Sequence, residues 1–206
     1  MKAISGATPL AALEAVAIDT ETTGLDTANA RIVQLAGVAV SLGRVDVEQR
    51  FDTLVDPREA IPSSSTAIHG IDNAAVRNAP AFGEALRRFQ AFRAGRVLVG
   101  HSIGFDLAVL AREADRARIP WRKPRSLCVR LLGEVVNPRL PEESLDALAG
   151  WLGVTIHGRH TAAGDALAAA EIFAALVPHL AGRGIRTLAE AERACLALTA
   201  RLEDAY

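Results

Sequence analysis

Ala15-Val16-Ala17-Ile18-Asp19-Thr20-Glu21-Thr22-Thr23-Gly24-Leu25 is the stretch on which the reading of this chain turns. A short apolar run ending in an acid reads as a buried β-strand, and Thr22-Thr23-Gly24 as the turn that closes it. Asp19 and Glu21 are two positions apart, so on a strand their side chains point to one face of the sheet. Carboxylates at the end of a buried strand are costly unless paired, capped or bound to a metal. The plain alternative is a solvated strand end.

Working outward, Arg31 to Val40 is rich in β-formers and predicts a second strand, and Val45 to Val55 a third that closes at Asp56-Pro57. Short connections between three consecutive strands predict an antiparallel meander. The period then changes. Ala79-Pro80 opens a helical pattern through Phe82, Leu86 and Phe89, and Val97 to Gly100 is a further short buried strand. Phe105 to Ala117 is helical, and Ser144 to Leu152 is a short helix with Ser144 as N-cap and Gly153 at its stop. Thr161 to Leu180 is the longest helix, capped by Thr161, and Thr187 to Leu202 is the last, capped by Thr187. Strands first, then helix, strand and helix, predict an α/β domain with a mixed sheet.

The bulk properties agree. A chain of 206 residues, half of them apolar and 23% charged, has room for one domain with a real core and is not a disordered polymer. A net charge of −1 excludes the global basic field of a pure nucleic-acid scaffold. Cys128 and Cys195 cannot make a disulfide framework, and no Cys/His spacing suggests zinc. Met1 to Ala15 shows no signal peptide, and Asp165, Glu171, Pro178 and His179 interrupt the most apolar helix, so no membrane span is expected. These features predict a soluble, cytoplasmic protein.

Two further acids follow buried segments. Gly100-His101-Ser102-Ile103-Gly104-Phe105-Asp106 is a tight strand-to-helix turn with Asp106 in the first turn of the helix. His160-Thr161-Ala162-Ala163-Gly164-Asp165 places a histidine in a loop and an acid at the next helix start, with His157 three residues earlier as a rival. Complementing a helix dipole explains either acid when taken alone. Together, four carboxylates at the ends of apolar elements suit hard cations such as Mg²⁺ or Mn²⁺, which take oxygen ligands and act in pairs in phosphoryl hydrolysis. An imidazole, with its reference pKa of ~6.5, suits deprotonating an attacking water.

Asp19-Thr20-Glu21-Thr22-Thr23-Gly24-Leu25, His101-Ser102-Ile103-Gly104-Phe105-Asp106 and His160-Thr161-Ala162-Ala163-Gly164-Asp165 resemble, in order and spacing, the three motifs of the DnaQ-like, DEDDh class of 3′→5′ exonucleases. Ala67-Ile68-His69-Gly70-Ile71 and Ser144-Leu145-Asp146-Ala147-Leu148 resemble segments between them. The resemblance implies a ribonuclease-H-like fold, a five-stranded mixed sheet flanked by helices. It implies one exonuclease domain over 1–206, with a family-like core over about 13–180 and a C-terminal helix over about 187–203. Two Mg²⁺ or Mn²⁺ ions would be held by Asp19, Glu21, Asp106 and Asp165, with His160, rather than His157, as general base. The Thr22 and Thr23 backbone would receive the terminal 3′-OH, Leu25 and Phe105 would touch terminal bases, and His69 would line the nucleotide pocket.

The activity so implied is hydrolysis of single-stranded or frayed 3′ ends, DNA before RNA, releasing nucleoside 5′-monophosphates. An RNA-trimming exoribonuclease and a proofreading module docked on a DNA polymerase are the alternatives. Arg122, Lys123, Arg125, Arg130, Arg139 and Arg159 are candidates for a phosphate-binding rim. One departure stands out: Ser102 occupies a position usually held by Asn, and a hydroxyl lacks the amide's paired donors and acceptor.

Overall fold

A computed structural model describes residues 4–203. After a 3₁₀ turn at Leu10–Ala12 come β1 (Ala15–Thr22), β2 (Ile32–Ser41), β3 (Arg44–Leu54), α1 (Ser63–His69), α2 (Phe82–Arg93) and β4 (Val97–Gly100). The chain continues through α3 (Gly104–Arg116), β5 (Ser126–Cys128), α4 (Val129–Val136), α5 (Leu145–Leu152), α6 (Ala162–Gly182) and α7 (Leu188–Glu203).

The five strands form one mixed sheet in the order β3-β2-β1-β4-β5. β1, β2 and β3 are the expected antiparallel meander. Its second hairpin is a two-residue loop, Leu42-Gly43, with both φ angles positive at 51° and 71°, the handedness that matches strand twist. β4 runs parallel to β1, and β5 parallel to β4, each reached by a helical crossover. β5, α1 and α4 are not legible from local pattern. β5 has three residues, and one turn of alternation is too short to register.

Strand alternation divides the sheet into two cores. Ala15, Ala17, Ala36, Val38, Val97 and Val99 face α4, α5, α6 and α7, whereas Val16, Ile18, Leu35 and Leu98 face α2 and α3. The first face is small on both sides: β1 alanines meet Ala162, Ala166 and Ala169 of α6, which brings that helix close to the strand. α6 is long and apolar enough to cross a membrane by length and composition alone, but residues such as Ile172, Phe173 and Leu176 are fully buried against the sheet and its neighbours. It is a core helix.

The caps agree with the sequence. Ser144 Oγ accepts from Ala147 N at 3.2 Å, and Thr161 Oγ1 from Gly164 N at 3.1 Å. At α7, Thr187 Oγ1 accepts from Glu190 N while Glu190 Oε2 accepts from Thr187 N, a reciprocal box.

Candidate active site

The parity that sorts the core also aims the acids. Asp19 and Glu21 continue the Ala15/Ala17 side of β1, so they point toward α6, where Asp165 lies in the first turn. Oxygens of Asp19, Glu21 and Asp165 lie within 4.8 Å of one another. Thr20 has the opposite parity and faces α3, where its hydroxyl donates to Asp106 Oδ1 at 2.8 Å. Asp106 therefore arrives from the other helical layer and is 3% exposed. Three of the four expected carboxylates cluster, two from β1 and one from α6, and Asp106 comes in from the opposite layer, near enough for its charge to push Asp19 up.

Their electrostatics are those of like charges in a poor solvent. Burial, then the Asp165 charge, pushes Glu21 up to about 7, with Arg159 pulling the other way. Burial raises Asp106 to about 7 against the hydrogen bonds from Thr20 and from its own backbone. Asp19 is raised well above the usual carboxylate range by burial, followed by Asp106, Glu21 and Asp165. Asp165 is raised by burial despite Arg159. These acids are thus short of positive partners. Asp165 Oδ1 is buried with no hydrogen-bond partner among the described residues, and the donor set is oxygen only, so the residues fit a hard divalent cation.

Two supports escaped the sequence reading. Gln34 sits opposite Glu21 on β2, and its Oε1 accepts from Ala162 N at 3.1 Å while its Nε2 donates to Asp52 at 2.8 Å. It pins the start of α6 to the sheet. A lone amide inside the apolar run Ile32–Val40 was the available signal. Thr20 was equally visible as the residue of opposite parity between two acids.

His160 stands exposed at φ +62°, a strained backbone for a non-glycine residue and one that turns the loop into α6. The loop lies so close to the helix that a Cβ on Gly164 would meet Gly158 O at 2.1 Å and His157 O at 2.4 Å. Only glycine fits there. His157 is also exposed.

The other expected residues vary. Thr22 Oγ1 donates to Gly24 O at 2.6 Å, Thr23 N to Arg31 O at 2.9 Å, and Thr23 O accepts the Ser65 hydroxyl at 2.9 Å. One lone pair of the Thr23 carbonyl remains. His69 is buried; its Nδ1 accepts from Ile71 N at 3.0 Å, which leaves the proton on Nε2, and that atom has no hydrogen-bond partner among the described residues. Burial lowers its pKa, so it is a neutral donor. Leu25 is 87% exposed, whereas Phe105 is half-buried against the α2/α3 core.

Three of the candidate rim arginines are already engaged. Arg125 pairs with Glu192, Arg130 with Glu143, and Arg159 with Asp146 and Asp165. Arg122, Lys123 and Arg139 are exposed. The second-motif loop is anchored by His101, whose Nε2 donates to Glu143 O at 2.8 Å. Ser102 there has φ +52°, a conformation that asparagine adopts far more readily than serine.

A family model described as Exonuclease matches residues 16–173, from β1 into α6. The chain belongs to the exonuclease family. This exonuclease domain is 46% identical over 183 residues to the DNA polymerase III subunit epsilon-like protein of Rhodobacter capsulatus, covering 87% of this chain and 26% of that protein. It therefore spans about a quarter of that relative's length. It is 33% identical over 165 residues to DNA polymerase III subunit epsilon of Treponema pallidum, covering 79% of this chain and 76% of that one. Among solved structures, exonuclease X in complex with 5′-overhanging duplex DNA shares the fold with a TM-score of 0.67 at 24% identity, over 87% of this chain and 99% of the other.

Proposed function

We propose that this domain is a divalent-metal-dependent 3′→5′ exonuclease that removes nucleoside 5′-monophosphates from single-stranded or frayed DNA ends. The observation that carries the proposal is the cluster of Asp19, Glu21 and Asp165, with one buried carboxylate oxygen unpartnered among the described residues and the Asp106 charge acting on Asp19 from the other layer. Asp19, Glu21 and Asp165 would hold one cation, and Asp106 would join Asp19 on a second. Bound Mg²⁺ or Mn²⁺ supplies Lewis acidity and neutralises charge on the phosphoryl oxygens.

The residues of the chain do the rest. His160, on the loop fixed by the Gly158–Gly164 contact, takes the proton of the attacking water. The new P–O bond forms as the bond from phosphorus to the penultimate O3′ breaks, and that oxygen leaves on the shortened strand. The free lone pair of the Thr23 carbonyl is available to a terminal 3′-OH, and His69 Nε2–H is a donor for the nucleotide. Leu25 offers an exposed apolar surface to a terminal base, and half-buried Phe105 within the second motif offers another.

DNA as substrate is supported by relatives named as DNA polymerase III subunits. Those names also favour a second reading, in which the same catalytic unit works beside a DNA polymerase. Oligonucleotides labelled at the 5′ end test the chemistry. A ladder shortening from the 3′ end in Mn²⁺, silent in EDTA, and faster on DNA than on RNA is expected. Release of a labelled mononucleotide in the first cleavages, or activity persisting in EDTA, overturns the proposal.

A further inference from the structure

Arg159 stands in the loop ahead of α6, forked between two carboxylates. Its Nε donates to Asp146 Oδ2 at 3.0 Å, and its Nη1 to Asp165 Oδ2. Asp165 is therefore divided: Oδ2 is committed to arginine, while Oδ1 is buried without a partner among the described residues. The loop that carries Arg159 is itself fixed, because Gly158 at φ +70° and His157 rest their carbonyls against Gly164 with no room for a Cβ.

We propose that Arg159 is a positioning residue for the metal site, holding Asp165 through Oδ2 so that Oδ1 is kept for the cation, with Asp146 holding Arg159 in turn. This rests on the acid cluster being the divalent-metal site proposed above. A carboxylate tethered through one oxygen loses the rotations that would take the other away from its ligand. Outer partners of this kind set the orientation of a ligand, and their loss typically costs ~10–100-fold in metal affinity.

Charge is the opposing consideration, since a guanidinium beside a cation site repels the cation. Asp146 answers it. The Asp146–Arg159 pair is neutral as a unit, so Asp165 keeps its full negative charge for the metal. The pair is graded in exposure, with side chains 61% exposed at Asp146, 32% at Arg159 and 9% at Asp165, so the geometry is tightest where the ligand sits. Lysine has the charge but not the planar fork, and cannot span the two acids in the same way.

Calorimetric titration of Mn²⁺ into the full chain tests this, with folding of each variant checked by circular dichroism and unfolding in EDTA. Arg159→Ala is expected to weaken Mn²⁺ binding ~10–100-fold, Arg159→Lys less, and Asp146→Asn less again. The double variant should match Arg159→Ala alone, because Asp146 acts through Arg159. If Arg159→Ala binds Mn²⁺ as tightly as the parent or more so, Arg159 is only a competing counter-ion and the proposal falls. Additive losses in the double variant overturn the Asp146 link. A parent protein that binds no Mn²⁺ overturns the metal-site reading and this proposal together, whereas a binding parent with unchanged variants overturns this one alone. Should Arg159→Ala fail to fold, Arg159→Lys and Asp146→Asn decide by the same criterion: weakened binding supports the proposal and unchanged binding overturns it.

Discussion

Glu113 on α3 and Asp165 on α6 are both buried acids, 2% and 7% exposed, and both carry arginine. Glu113 is completely answered. Its Oε1 accepts from Arg31 Nε and from Arg116 Nη1 at 2.9 Å, and its Oε2 from Arg31 Nη2 at 3.3 Å. Arg116 also reaches the carbonyls of Ala28 and Ala30, so this network ties the segment after the first motif to α3. Asp165 has one oxygen answered, and its neighbours are Asp19 and Glu21. Two arginines for one acid is an architecture that holds a loop. One arginine among four acids is a deficit of positive charge, and a fold tolerates such a deficit where something else is meant to bind.

The comparison breaks most visibly at Asp19. Asp19→Asn should lose cleavage by at least the ~10²–10⁴-fold that removal of a positioned catalytic group costs. In EDTA it should nevertheless unfold no earlier than the parent, since it removes one of several repelling charges. Glu113→Ala should do the reverse, destabilising by ~3 kcal/mol and keeping its cleavage chemistry once folded. That figure is the low end for breaking a buried pair, because both arginines keep some access to water. Thermal unfolding of both variants in EDTA, with cleavage assayed on the folded protein, checks the two signs. An Asp19→Asn protein clearly less stable than the parent would make the cluster as structural as Glu113.

His160→Ala is expected to lower kcat by ~10²–10⁴-fold with the fold intact, and His157→Ala to leave it nearly unchanged. Single-turnover cleavage at saturating Mn²⁺ measures both. The reversed ranking would put the base on the wrong side of Gly158.

A smaller effect tests the acid cluster by pH. Acids whose pKa is raised in the fold bind more protons folded than unfolded between the ordinary carboxylate values, 3.8 and 4.5, and about 7. Stability in EDTA should therefore fall as pH rises through that window and level off above it. Asp19→Asn should flatten the slope. Unfolding midpoints at pH 4.5, 6 and 7.5 decide, and a parent whose stability rises across the window would contradict the charge deficit.

The smallest effect belongs to Ser102. At φ +52°, Ser102→Asn should stabilise by ~0.5 kcal/mol, raising Tm by ~1–2 °C without altering metal dependence. A lower Tm would mean that the serine hydroxyl has a use the backbone angle does not reveal.

Much of this was legible in the chain, for a reason that is local. Strand parity puts Asp19 and Glu21 on one side whatever the fold around them, and the caps at Ser144, Thr161 and Thr187 depend on neighbours three residues away. Hydrophobic period marked β1 to β4 and the long helices, but carried too little signal over the three residues of β5 or the single amphipathic turn pairs of α1 and α4. The motif resemblance filled the gap in the sheet.

Partnership was not legible. Arg159 reads in the sequence like Arg122, one more candidate for a phosphate-binding rim, and only the packing of its loop on Gly164 brings it to Asp146 and Asp165. Gln34 and Ala162 are far apart along the chain, as are Thr20 and Asp106, yet each pair is in hydrogen-bond contact. The sequence by itself determined which residues carry charge, which face of β1 they leave from and where each helix begins, because those follow from alternation and from capping within a turn. Which charges are answered and which are left open is decided by tertiary structure alone, because a buried carboxylate takes its partners from whatever elements the core brings within 3 Å, and no local rule reaches that far.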